Sequence, residues 1–214
     1  MFDRDIKEIL ILLPCLLMAL TFHELSHGYA AYRLGDDTAK NDGRLSLNPI
    51  KHIDWIGLLF LLAAGFGWAK PVMVNPNNLR NPKTGMALVA AAGPLSNLLL
   101  AFITLAIVLP LIALTDAPVL VFTVIEQFAW LNIVLFTFNL IPIPPLDGSK
   151  IIAGFLPDNL YEKFISYERF GSIIFIILIV TGMTSRIISP IANGIFDIFF
   201  RIALRVHIWG ANFF

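Results

Sequence analysis

Charge is scarce in this chain. Asp, Glu, Lys and Arg make up only 14% of its 214 residues, against roughly 25% in soluble domains, which excludes an ordinary water-covered surface. The charges cancel, fifteen basic against fifteen acidic, so no basic surplus points to a nucleic-acid partner. Cysteine is nearly absent, and with Cys15 alone an intrachain disulfide is impossible. That thiol lies in an apolar run ahead of His23 and reads as packing rather than as a ligand. Histidine is limited to four residues, so any imidazole site must draw on a short inventory. No internal repeat and no separate soluble domain interrupts the sequence.

Apolar sequence is what the chain has in quantity. A 57% hydrophobic content and a mean hydropathy of +0.79 describe a polytopic membrane protein. The uncharged run Ile9–Leu20 opens a helix expected from about Ile6 to Leu34, ended by Gly35-Asp36-Asp37. It lacks a small-residue cleavage site and is read as retained, not as a signal peptide. Met86–Leu114, without charge, and Ala117–Ile141, with only Glu126, read as antiparallel spans joined by a short connection at Thr115 to Ala117. Ser172–Ser185 and Ile187–Phe200 are each short for a crossing; one or two further spans are expected, four to six in all. Ile53–Gly67 is short and interrupted by three glycines, which suits a re-entrant element. Its flanks, Arg44–Leu47 and Pro71–Val74, read as extended pieces. The fold class is an all-α polytopic membrane protein with a short re-entrant, β-like element after the first span. One domain is expected over residues 1–214, with a core of about 6–152 and C-terminal helices over 153–214. Basic residues are absent from Thr115–Ala117 and frequent in Lys70–Lys83 and Lys150–Arg169, which puts those two loops in the cytoplasm.

Against this background His23-Glu24-Leu25-Ser26-His27 stands out, directly after the first apolar run. Residues i and i+4 stack on one helix face. Two imidazoles at that spacing can chelate one zinc, with the Glu beside the metal's water. A solvated helix face is the plainer explanation, but the preceding apolar run argues against it, because ionisable groups at membrane depth are expensive. A zinc site open to water needs a third protein ligand. Asp147 is the strongest candidate: Pro142-Ile143-Pro144-Pro145 breaks the helix before it and Gly148 frees the backbone after it. On those residues alone a surface turn fits equally well.

Phe22-His23-Glu24-Leu25-Ser26-His27-Gly28, together with Asn139-Leu140-Ile141-Pro142-Ile143-Pro144-Pro145-Leu146-Asp147-Gly148, resembles the site-2 protease family of intramembrane zinc metalloproteases. Both family motifs, HExxH and N-x-x-P-x-x-x-L-D-G, are complete. Gly35-Asp36 to Asn48-Pro49, Gly67-Trp68-Ala69-Lys70-Pro71-Val72 and Gly93-Pro94-Leu95-Ser96-Asn97 look like its short bacterial and archaeal members. The likeness covers about Thr21 to Ile152. Met73 stands where that subgroup often has Pro, and no PDZ-like insertion is present.

The resemblance implies His23, His27 and Asp147 as ligands of one Zn²⁺, with Glu24 as general base. It also implies a transmembrane protein substrate, cut in or near its membrane segment, and a prokaryotic cell membrane with the site toward the cytoplasm. Asn139 and Asn97 are candidates for holding the substrate backbone or the oxyanion, with interhelical bonding as the alternative, nearly equal for Asn97. Asn132, outside any motif, reads as interhelical glue. His52 reads as a supporting or structural residue rather than a ligand. Glu126 suits either a proton path or an interhelical bond, and His207 an interfacial position. A substrate helix must unwind before it can be cut, and the extended pieces Arg44–Leu47 and Pro71–Val74 are edges that could hold it. The competing reading is a non-proteolytic zinc-binding membrane protein, for transport or scaffolding, which would favour a closed four-ligand shell and have no use for Glu24.

Overall fold

The computed structural model of the chain describes residues 6–64, 67–166 and 168–211. Helix α1 (Ile6–Arg33) ends at Gly35, whose φ of 111° is natural for glycine and strained for other residues. A short α2 (Thr38–Asn41) and α3 (Trp55–Ala64) follow. Helix α4 (Pro82–Ile103) starts on Pro82, with Asn81 Oδ1 accepting the Thr84 N–H at 3.1 Å, a capped start of ordinary design. It runs through a widened π turn at Thr104–Val108 into α5 (Leu109–Ile112). Then come α6 (Val119–Asn139), α7 (Asp147–Phe155), α8 (Asp158–Ser166), α9 (Glu168–Val180) and α10 (Met183–Ala211).

Among the described residues four helices are long and apolar enough to cross a bilayer: Glu8–Arg33, Pro82–Ile112, Val119–Asn139 and Met183–Ile208. The C-terminal region supplies one further span, within the one or two expected, but with limits other than those of the apolar stretches in the sequence. Ile187–Phe200 is part of one 29-residue helix, long enough for a crossing, whereas α9 has 13 residues and is too short for a core about 30 Å thick. Pro190 and the charges at 197, 201 and 205 break the apolar pattern without breaking the helix. Proline is tolerated in membrane helices because neighbours re-satisfy the freed carbonyl.

The helices pack as lipid demands. Without a hydrophobic drive between helices, association depends on close backbone approach. Buried positions are accordingly small, among them Ala19, Ala90, Gly93, Ala101, Ala129 and Ala192, while Leu88, Leu95, Leu99, Leu120 and Ile198 point outward. Helix α4 is the hub, touching α1, α6 and α7, and α10 closes against α6.

The segment after α1 enters and leaves on one side. Helix α3 has 10 residues, about 15 Å of rise, roughly half the hydrocarbon core. Asp54 Oδ1 caps it, accepting the Ile56 and Gly57 N–H groups at 3.0 and 2.9 Å. Lys70 N–H donates to the His52 carbonyl at 3.0 Å, beside an antiparallel bridge between Ile53 and Ala69. The chain thus returns to where it left, as a re-entrant element must. That bridge is the whole of the β pairing among the described residues.

From Lys70 the chain forms a strap, Pro71–Val74, pinned at both ends by buried charges. Arg44, 7% exposed, gives its guanidinium to the carbonyls of Lys51, Lys70 and Pro71. Asp36, 0% exposed, accepts the Asn75 N–H at 2.7 Å, the Asn78 Nδ2 at 2.8 Å and the Thr38 N–H at 3.1 Å. Burial alone would raise its carboxyl pKa, but the bonds from Thr38, Asn78 and Asn75 win and hold it below the ordinary range. A lowered folded-state pKa adds stability that is complete above the unfolded value, near pH 4, and is lost as pH falls through the folded one. Asp36→Ala should therefore cost roughly 3 kcal/mol at pH 7, and the gap in thermal midpoint between variant and wild type should narrow below about pH 4. An equal gap at pH 7 and pH 3 would contradict this account of the strap.

Candidate metal centre

The bend after α6 delivers an acid to α1. Pro142, Pro144 and Pro145 offer no N–H, and the chain descends through Ile143 N–H to Ile141 O (2.8 Å) and Leu146 N–H to Ile143 O (3.0 Å) before α7 starts at Asp147. Gly148 is needed for space rather than for backbone freedom, because it has no positive φ. A Cβ there would strike the carbonyls of Leu140 and Ile141, so only glycine lets the first turn of α7 lie on the end of α6.

That placement brings Asp147 Oδ2 to 3.2 Å from His23 Nε2 and 3.2 Å from His27 Nε2, while the two Nε2 atoms are 3.0 Å apart. His23, His27 and Asp147 form a possible metal-ligand group among the described residues. The tautomers follow from the partners. His27 Nδ1 is 2.7 Å from the Val89 carbonyl, which can only accept, so Nδ1 carries the proton. His23 Nδ1 is 2.6 Å from Asn97 Oδ1, and that amide's orientation is forced from both sides. Asn97 Nδ2 donates to the Ala19 carbonyl (3.1 Å) and to Asn132 Oδ1 (2.8 Å), and Asn132 Nδ2 donates to the Phe128 carbonyl (2.8 Å). With the proton on Nδ1, the neutral form of each ring carries its free lone pair on Nε2, and both Nε2 atoms meet at one point beside a carboxylate. Ligands at about 2.0–2.1 Å in a tetrahedron lie about 3.3 Å from one another, close to the separations seen. The donor set fits Zn²⁺.

Glu24 stands outside this triangle. Its Oε2 accepts the Val72 N–H at 2.8 Å, and it lines a cleft of about 380 Å³ with His23, His27, Asp147, Asn139 and the strap. Three ligands beside an open cleft leave room for a water, unlike a closed four-ligand structural shell.

The other candidates separate. Asn139 lines the cleft, one amide hydrogen going to the Leu135 carbonyl at 3.0 Å. Asn97 is fully buried behind His23 and does not line the cleft. Asn132 does join helices, but as the link that orients Asn97. His52 lies apart: its Nε2 is 2.8 Å from the Ser46 carbonyl, and it lines a separate apolar cavity of about 280 Å³ between α1, α3 and α6. Glu126 and His207 line a third cavity of about 210 Å³ toward the opposite end of α6. Of the two extended pieces only Pro71–Val74 borders the cleft; Leu45 instead packs on Gly28. Two participants, Val89 and Lys150, escaped the sequence, and Val72 was reached only as part of the extended piece Pro71–Val74. Val89 and Val72 act through backbone groups, which no side-chain pattern reveals. Lys150 lines the cleft, and its place three residues after Asp147 was the available signal.

An α-helical membrane protein with a His-His-Asp group close enough to bind a metal is a narrow class, and the comparisons agree with it. Residues 112–184 match Peptidase family M50. The chain is 44% identical over 201 residues to a Bacillus subtilis strain 168 protein named "Putative zinc metalloprotease YwhC", covering 90% of this chain and 92% of that one. It is 28% identical over 187 residues to "Putative zinc metalloprotease Rip2" of Mycolicibacterium smegmatis, covering 85% and 71%. With "Putative zinc metalloprotease Rip3" of Mycobacterium tuberculosis the figures are 28% over 185 residues, 84% and 40%. No solved structure matches significantly. The chain belongs to peptidase family M50, the site-2 protease family.

Gly93 on α4 gives a direct check of the centre. A Cβ there would meet His27 Nε2 and lie 2.8 Å from His23 Cε1, under the shortest contact real side chains tolerate. Gly93→Ala should weaken zinc binding at least about tenfold, as displaced ligand support does, measured as metal per chain against buffered zinc. Gly194→Ala, with nothing within 4 Å, should leave affinity unchanged. Equal affinity in both variants would mean that the histidines do not meet at the metal.

Proposed function

We propose that this chain is an intramembrane zinc metalloprotease that hydrolyses a peptide bond in or near a transmembrane segment of another protein, as in regulated intramembrane proteolysis. The whole chain would act as one protease domain. The observation that carries the reading is the pair of imidazole lone pairs converging with Asp147 at the edge of a cleft that also holds Glu24.

His23, His27 and Asp147 would hold the metal, and zinc bound there supplies Lewis acidity to a water and to the scissile carbonyl. Asn97 and Val89 hold the proton on each Nδ1 and aim both Nε2 atoms at the metal position. Glu24, held by the Val72 N–H, would take the water's proton and pass it to the leaving amine. Asn139 has a second amide hydrogen for the substrate carbonyl or the oxyanion. Asn97, fully buried, is reassigned from substrate contact to His23 support, and His52 is given a structural role at the hairpin base.

The strap supplies an edge for the unwound substrate. Val72 N–H serves Glu24 and Arg44 holds the Pro71 carbonyl, while Met73 and Val74 border the cleft. An extended peptide could add there by main-chain hydrogen bonds. The family resemblance and the relatives' names support the metal and the reaction; the strap supports the substrate's conformation.

In zinc-loaded protein reconstituted with single-span model substrates, Glu24→Gln should keep about one zinc and lose cleavage by a factor of about 10²–10⁴. Asp147→Ala should lose the metal. Met73→Pro should keep zinc and lose cleavage. Full activity in Glu24→Gln would sink the mechanism, and full activity in Met73→Pro would remove the strap from it.

The loops at the metal end carry Lys40, Arg44, Lys51, Lys70, Arg80, Lys150 and Lys163, whereas the opposite ends of α1 and α10 carry Lys7 and Arg205. The metal end is therefore assigned to the cytoplasm of a prokaryotic cell membrane. In a Cys15→Ala background, a membrane-impermeant maleimide on intact cells should label Thr115→Cys and reach Lys163→Cys only after permeabilisation. The reverse pattern would invert the assignment.

A further inference from the structure

Helix α10 turns a polar stripe outward in the middle of its span. Its inner face carries Ile188, Ala192 and Ala203, which join the core, and Phe196 and Phe199 pack against it. On the outer face Arg186, Asn193, Asp197, Arg201 and Arg205 are all exposed. The last four recur at steps of four residues, so they share one side of the helix. None has a hydrogen bond or ion pair with another described residue.

Position in the bilayer separates these residues. Arg205 lies one turn from the end of the span at Ile208 and can reach the interface with its long side chain. Asp197 cannot. It lies about 16 Å of helical rise from Ile208 and about 21 Å from Met183, near the midplane, on a side chain too short to escape. Folding it onto Arg201 of the same helix would still present the pair to hydrocarbon. A partner must cover it.

We propose that the partner is a second copy of this chain, docked through α10 in a two-fold dimer within the membrane. The stripe is self-complementary: it carries both signs one turn apart, so a parallel two-fold copy can set Asp197 of each protomer against Arg201 of the other. Gly194, beside the stripe, has nothing within 4 Å, leaving the backbone open to the close approach that membrane helix pairs use. The metal-site cleft, lined from α1, the strap, α4, α6 and α7, includes nothing from α10 and would stay open in the dimer. The proposal does not depend on the protease reading.

The test uses full-length, zinc-loaded protein in native membranes and in mild detergent. In a Cys15→Ala background, Gly194→Cys should form a disulfide-linked dimer on oxidation, while the lipid-facing Leu95→Cys should not. Light scattering should give wild type a polypeptide mass near twice 23.8 kDa. Asp197→Arg and Arg201→Asp should each weaken dimerisation at least about tenfold, and the double exchange should restore it. Unchanged zinc content in all variants reports that the fold is kept. A monomeric wild type with no Gly194→Cys cross-link would overturn the proposal. So would single and double variants that dimerise alike.

Discussion

Two imidazole Nε2 atoms 3.0 Å apart, with a carboxylate oxygen 3.2 Å from both, are spaced as ligands that share one cation. Most of the rest of the molecule maintains that arrangement. The Val89 carbonyl and the Asn97–Asn132 chain fix the proton on each Nδ1, which turns Nε2 of both neutral rings into the ligating atom. The amide chain ends on backbone carbonyls of α1 and α6, so three spans share in orienting one histidine. Removal of either amide would leave a buried donor or acceptor unpaired where no water can replace it.

The same constraint explains the small residues around the centre. The ligands come from α1 and from the bend after α6, and α4 must lie close enough for Val89 and Asn97 to reach both histidines. Gly93 gives that clearance on α4 and Gly148 gives it where α7 crosses the end of α6. In lipid, where apolar burial drives no association, such close contacts also hold the bundle together. Packing and chemistry therefore ask for glycine at the same positions.

Much of this was legible in residue order, for identifiable reasons. The His spacing, the proline-broken turn before Asp147 and the long apolar runs are local patterns, and local geometry carried them into the structure. The re-entrant segment was legible because ten apolar helical residues cannot span a bilayer. Helix α10 was not, because its pattern is broken by charges that face away from the bundle, and a hydropathy reading treats such charges as an end. Asn97 and His52 mark a second limit. Sequence gave each a neighbourhood, but whether an amide faces the cleft or the back of a histidine depends on contacts across some 75 residues of chain. Val72 was legible only as part of an extended piece, since the group that matters is its N–H.

Unpaired backbone is prohibited at membrane depth, yet a protease of this kind needs some for its substrate. The strap resolves the conflict by being anchored outside its working stretch. Arg44 satisfies the carbonyls entering it and Asp36 satisfies the N–H groups leaving it, so two buried charges are solvated by main chain rather than by each other. A direct salt bridge between them would hold one point; separated, they hold both ends and keep Met73 and Val74 extended along the cleft. Because Val72 N–H also carries Glu24, whatever shifts the strap shifts the base. Under the proposed mechanism, substrate binding and proton transfer would be linked through one four-residue segment, and a peptide that fails to seat along it would meet a misplaced carboxylate.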